Sequence, residues 1–323
     1  MSLPDPVSGE ELKRLVFDPT IKRKSLIEGL LSEHSSIMIS ADPGTGKSYL
    51  MLQALIQYAS GFPVFGGLPV ENPGRVYIIQ KERHIKEVLE RLESFSDKIK
   101  INWDNIIIDS ELQSLSLINP KVQDIVLARI AKFKPSILGI DPIGAGLGGL
   151  SKDETANEFC SFLTRIKNEV GNSDWLNHHT SRIQYSSDGS PVQKDKPFYG
   201  SQWLDAYVTG HYHITKNKDG TDWRNTKDTY SNLVKKFGLD FDPETGLSYV
   251  NKESMNAYDK VMSFIKSRKD NNQPFTFKEL QSQIGCTVSG LRYTLRQPLI
   301  KDLLLLSKSG YDSTLYTVDI GKI

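Results

Sequence analysis

The chain has little of what would hold or place a protein by unusual means. Two cysteines, Cys160 and Cys286, stand far apart and without ligand-like spacing, which argues against a disulfide framework and a zinc site. No apolar run approaches the ~20 residues that span a bilayer. The opening "MSLPDPVSGEELKRLVFDPT" lacks the basic-then-apolar pattern of a signal peptide, so the cytoplasm is the expected location. Internal repeats and low-complexity tracts are missing too. What is present is ordinary: 38% hydrophobic and 24% charged residues in 323, a globular composition and a length that suits two domains.

The net charge of +1 is unevenly spread. Ten Lys/Arg face six Asp/Glu from Asn256 to Ile323, leaving the preceding residues slightly acidic. A basic tail on an acidic body suits an anionic partner, or is simply a solvated surface.

Short apolar runs alternate with helical patterns from Ser36 onwards. "SIMIS", "RVYIIQ", "NIIID" and "SILGID" read as buried strands, and 47–58, 85–95, 122–133 and 155–170 repeat their apolar residues at helical spacing. That alternation predicts an α/β fold with a mostly parallel, twisted sheet and ligands at the strands' C-terminal ends. Beyond Asp205, "AYVTGHYHITKNKDGTDW", "DTYSNLVKKFG" and "GLSYV" read as strands that extend the sheet in antiparallel fashion. The pattern changes again near Asn251 to Asn256. Three helices and a hairpin follow, with Thr276 and Glu279 at capping-box spacing on the second. Their order resembles a winged helix, whose third helix would carry Arg292 and Arg296 on one face. Such a module binds DNA in some proteins and other proteins in others. The expected organisation is an arm over 1–23, an α/β domain over 24–250 and a winged-helix-like domain over 251–323.

The most specific segment is Ala41-Asp42-Pro43-Gly44-Thr45-Gly46-Lys47-Ser48-Tyr49. It fits a phosphate loop, with Ala in place of the first Gly. Gly44 and Gly46 allow backbone N–H groups to turn around phosphate oxygens, and the helix that begins near Lys47 adds its dipole. Lys47 would reach the β- and γ-phosphates of ATP, and Ser48 would ligate Mg²⁺. Asp141, ending "SILGID" on what is expected to be a neighbouring strand, is the second candidate for Mg²⁺, or else caps the next turn. Glu82, just past "RVYIIQ", is placed to orient the attacking water, or is a first-turn acid drawn by the helix dipole.

Taken in order, the glycine loop, Glu82, Asp141, His178-His179-Thr180 and "FYGSQWLDA" resemble RecA-fold ATPases of the plasmid RepA type. Those are hexameric replicative helicases, grouped with DnaB-like helicases, and the resemblance covers roughly residues 24–250. It implies ATP and Mg²⁺ as cofactors, Glu82 as catalytic base and His179 as a γ-phosphate sensor. "NSDWLNHHT" is polar for the strand before the sensor, so a shortened strand is expected. Lys235, Lys236 and Arg224 compete to be the cation that completes a neighbour's site, unless the lysines are plain surface residues. Two segments, 144–155 and 181–200, would face the channel of a ring. There Lys152, Arg182, Lys194 and Lys196 would track phosphates of single-stranded DNA, and Tyr185 would stack on a base. The expectation is a ring-forming helicase on single-stranded DNA. Its rival is an ATP-controlled regulator or loader that binds duplex DNA or a protein partner.

Overall fold

The structure is a computed structural model that describes residues 7–18, 23–113, 115–144, 153–180, 184–185, 191–192, 202–230, 233–251, 260–262, 264–265, 268, 274–284, 291, 294–295, 300, 303–308 and 314–318. A helix, α1 (Gly9–Phe17), precedes a small hairpin of β1 (Ser25–Ile27) and β2 (Leu31–Ser32). The main body then runs β3 (Ser36–Ala41), α2 (Lys47–Ala59), β4 (Val76–Gln80), α3 (Ile85–Ser96), β5 (Ile106–Asp109), α4 (Pro120–Phe133), β6 (Ile137–Asp141), α5 (Asp153–Val170) and β7 (Ser173–His179). After a two-residue pair, β8 (Gln184–Tyr185) and β9 (Pro191–Val192), come α6 (Gln202–Tyr207), β10 (Gly210–Lys216), β11 (Gly220–Asp228), β12 (Lys236–Asp242) and β13 (Leu247–Asn251). The last elements are β14 (Phe275–Thr276), α7 (Phe277–Ile284), β15 (Leu304–Lys308) and β16 (Thr314–Val318).

Among the described residues nine strands form one sheet, in the order β13-β12-β11-β10-β3-β7-β6-β4-β5. Every pairing from β10 to β5 is parallel, and β10 through β13 pair antiparallel. Parallel strands need covering on both faces, and two apolar clusters supply it. One packs α2 and α3 on one face through Leu55, Ile56, Val88, Leu92 and the stacked Trp223–Phe237 pair. The other packs α4, α5 and α6 on the opposite face through Val126, Ile130, Phe159, Leu163 and Leu204.

Several sequence expectations are corrected. β10 joins β3 in parallel before the antiparallel extension starts. The strand expected in "DTYSNLVKKFG" begins only at Lys236, because Val234 is buried and gives its N–H to Gly29 O at 2.7 Å. α5 starts at Asp153, inside the segment expected to be loop. β7 is not shortened: it runs seven residues and all but the last are buried. Several of its polar side chains are tolerated there because neighbouring elements supply partners. Asp174 takes hydrogen bonds from Ser36 Oγ (2.8 Å), Tyr207 Oη (2.6 Å) and Asn172 Nδ2 (2.7 Å), with Lys167 Nζ at 3.0 Å.

Near the C-terminus a third cluster gathers Val261, Phe264, Ile265, Phe275, Leu280, Ile284 and Leu291. Thr276 Oγ1 accepts the Glu279 N–H at 3.1 Å, the expected cap of α7, and β15 and β16 form the expected hairpin, with β14 paired to β16. Of the expected third helix, Leu291, Thr294 and Leu295 are described and helical, while Arg292 and Arg296 lie outside the described residues. The expected boundary segment 252–256 lies outside them as well. Among the described residues no helix is long and apolar enough to cross a membrane.

Candidate nucleotide site

Strand β3 ends at Ala41, and the chain turns into α2 through a loop closed by Thr45 N–H to Asp42 O (3.2 Å) and Thr45 Oγ1 to Asp42 O (2.7 Å). Gly44 and Gly46 have φ of +80° and +96°, conformations that an L side chain rarely takes. Open space lies where a Cβ would stand on either. Gly46 caps α2 without a side-chain acceptor, so the first N–H groups of the helix are open to an anion.

Lys47 is buried, and its ammonium donates to His179 Nδ1 at 2.9 Å. Burial lowers the Lys47 pKa, opposed by the carboxylates of Asp141, Glu82 and Asp42. Burial, then the Lys47 charge, lowers that of His179. A lysine ammonium offers donors only, so a neutral His179 holds its proton on Nε2. That atom faces Glu82 Oε2 at 3.7 Å. Lys47, His179 and Glu82 therefore form a line at the C-terminal ends of β3, β7 and β4, with half of the Glu82 side chain exposed.

Asp141 is fully buried at the end of β6. The expectation that its strand neighbours the loop strand is wrong: β7 lies between β3 and β6. That intervening strand supplies Asn177, whose Nδ2 donates to Asp141 Oδ1 (3.0 Å) and to Lys47 O (3.2 Å). From the other side Gln80 Nε2 reaches Asp141 Oδ2 at 3.2 Å, while Gln80 Oε1 accepts the Glu82 N–H at 3.2 Å. Two amides thus fix the carboxylate and the turn that carries Glu82. Neither was singled out from the sequence, although Gln80 is the polar end of an otherwise apolar strand; Asn177 stands among other polar residues of β7. Ser48, half-buried in the first turn of α2, and Asp141 could hold Mg²⁺, directly or through water.

The remaining predicted residues divide. Asp42 and Pro43 are exposed at the loop. Tyr49 turns its side chain away: its hydroxyl donates to Gly246 O, and its ring meets Phe95 edge-on at 5.0 Å. Its backbone N–H alone is left for a phosphate. Beside the loop a hollow of about 410 Å³ is bordered by Gly44, Gly46, Tyr49, Lys218, Asp219 and Phe241. Arg224 and Lys236 are register partners on β11 and β12. Both are exposed, and alternation places them on the face opposite buried Trp223 and Phe237, away from α2. Lys235 is exposed in the preceding turn. Tyr185 falls in β8, and Lys152, Arg182, Lys194 and Lys196 lie outside the described residues.

The sequence also gave no sign of a second polar cluster across the sheet. Ser40 Oγ lies 2.8 Å from His211 Nε2 and 3.2 Å from His213 Nδ1, and Thr226 Oγ1 lies 2.8 Å from His211 Nδ1. Burial drives the His211 pKa down to about 4. The cluster ties the root of the phosphate loop to β10 and β11.

A glycine loop between strand and helix, with a strand inserted between the loop strand and the acid strand, defines a RecA-like P-loop ATPase. The chain belongs to the AAA domain family, whose match covers residues 10–184. It is also similar to a solved KaiC-like protein from the hyperthermophilic archaeon Pyrococcus horikoshii OT3, with 14% identity and a TM-score of 0.48, over 70% of this chain and 93% of that one. No curated protein matches it.

Proposed function

We propose that the protein is a Mg²⁺-dependent ATPase that assembles as a ring, most simply a hexamer, and moves along single-stranded DNA during replication. The observation that carries this reading is the Lys47–His179–Glu82 line. It joins the phosphate loop to the last residue of β7, just ahead of the long 181–200 segment. A change at the phosphates therefore has a short mechanical route to that segment.

Bound Mg²⁺–ATP would supply the phosphoryl bond to be broken and the metal's charge. The chain's own residues do the rest. The α2 N–H groups and Lys47 hold the β- and γ-phosphates, and the hollow beside Tyr49 takes the nucleoside. Glu82 orients the water and accepts its proton. When Lys47 turns to phosphate it gives up His179 Nδ1, so His179 is freed to follow the γ-phosphate. Arg224 or Lys236, both across the sheet from α2, or Lys235 in the preceding turn serves the neighbouring subunit's nucleotide. Lys152, Arg182, Tyr185, Lys194 and Lys196 meet the strand, and the winged-helix-like tail adds Arg292 and Arg296.

Steady-state ATP hydrolysis measured without DNA, with single-stranded DNA and with duplex DNA tests this, using Lys47→Ala as the blank. Stimulation by single strands of any sequence supports a translocating motor. Turnover indifferent to single strands but responsive to a particular duplex overturns it in favour of a DNA-binding regulator or loader.

A further inference from the structure

Arg83 follows Glu82 in the turn between β4 and α3. Its backbone is pinned from both sides: its N–H reaches Gln80 Oε1 at 3.4 Å, and its carbonyl accepts from Gln113 Nε2. Two residues earlier, Lys81 gives its N–H to Asp141 O at 2.8 Å and its ammonium to the carbonyls of Leu112 and Leu115. The Arg83 side chain is held far less firmly. One Nη donates to Glu87 Oε2 at 2.7 Å, with 40% and 49% of the two side chains exposed. Exposed pairs of this kind are weak and easily exchanged. The Arg83 Nε is buried and has no acceptor among the described residues, which folded proteins rarely leave without a reason.

We propose that Arg83 contacts phosphate in its own chain's site: when a triphosphate binds, its guanidinium leaves Glu87 and donates to the γ-phosphate beside Lys47. The planar fork of a guanidinium suits phosphate oxygens, and charge-assisted bonds of that kind outweigh the exposed pair given up. Position supports the exchange. The adjoining Glu82 stands 3.7 Å from His179, which meets the Lys47 ammonium at 2.9 Å. Burial first, and the Arg83 charge after it, lower the Lys47 pKa, so the two cations are near one another. Arg224 and Lys236 lie across the sheet from α2 and do not serve this loop. ADP has no γ-phosphate and leaves the Arg83–Glu87 pair intact. The inference rests on the nucleotide reading above and adds a cation supplied in cis.

The test uses the full chain with Mg²⁺. Arg83→Ala should weaken binding of a fluorescent non-hydrolysable ATP analogue about tenfold or more. It should leave ADP binding unchanged and cut kcat about 10²–10³-fold. Arg83→Lys, which keeps the charge but not the fork, should recover part of the affinity. Glu87→Gln removes the competing acceptor, so it should hold the triphosphate at least as tightly as the native chain. A matching urea transition for each variant checks that the fold survives. Mixing Arg83→Ala with Lys47→Ala chains separates cis from trans, and no hydrolysis should return.

Equal losses in Arg83→Ala and Glu87→Gln would make the pair a brace for the turn and overturn the inference. So would ADP and triphosphate weakened alike, or hydrolysis regained in the mixture. Triphosphate binding and turnover lost in Lys47→Ala but untouched in Arg83→Ala overturn it too, and leave the nucleotide reading standing. A chain that binds neither nucleotide overturns both.

Discussion

Strand β7 holds two kinds of polar residue, and the contrast separates structure from function. At its start, Asp174 is fully buried and meets Ser36, Tyr207, Asn172 and Lys167 at once. At its end, His179 is a third exposed and joins the Lys47 ammonium to a half-exposed Glu82 across 3.7 Å. A buried acid with four partners is committed to the fold. An imidazole shared between a buried cation and a loosely held acid still has a choice of partner, and that choice is what a phosphate can alter.

Four changes would break or sharpen the contrast. Glu82→Gln, at the loose end, should cut hydrolysis by about 10²–10⁴-fold while binding of a fluorescent ATP analogue persists; unaltered turnover would return Glu82 to the role of a helix-start acid. Asp174→Ala, at the locked end, should cost about 3–5 kcal/mol in urea unfolding, because Lys167 is left without its buried counter-charge. Acid probes the cluster on the far face. With a folded pKa of about 4 against 6.5 unfolded, His211 binds its proton first in the unfolded chain. Its contribution is whole above pH 6.5 and falls by about 3 kcal/mol as pH drops to 4. His211→Phe should flatten that slope. The smallest effect belongs to the tail, where Thr276→Ala should cost about 1 kcal/mol through the lost cap on α7, seen as a lower urea midpoint.

Much of the fold was legible because its signals are local. The strands before Ala41 and Asp141, the glycines of the loop and the Thr276–Glu279 spacing each announce themselves within a few residues. The orienting groups were not, because their meaning depends on register. Gln80 matters since it pairs with Asp141 across β4 and β6, and Asn177 since β7 slips between β3 and β6. Polarity made β7 look short, but side chains from β3 and α6, distant in sequence, and from the preceding α5 give Asp174 its partners. His211 shows the same limit: only the pairing of β10 with β3 brings it to Ser40.

We propose that His179 exchanges Lys47 for the γ-phosphate. The most direct measurement is the ¹⁵N spectrum of histidine-labelled protein at neutral pH, assigned with His179→Gln. Expected is a neutral His179 protonated on Nε2 without nucleotide, little changed by ADP and clearly shifted by a non-hydrolysable triphosphate. A His179 that is charged in the free protein, or that answers ADP and triphosphate alike, would contradict it.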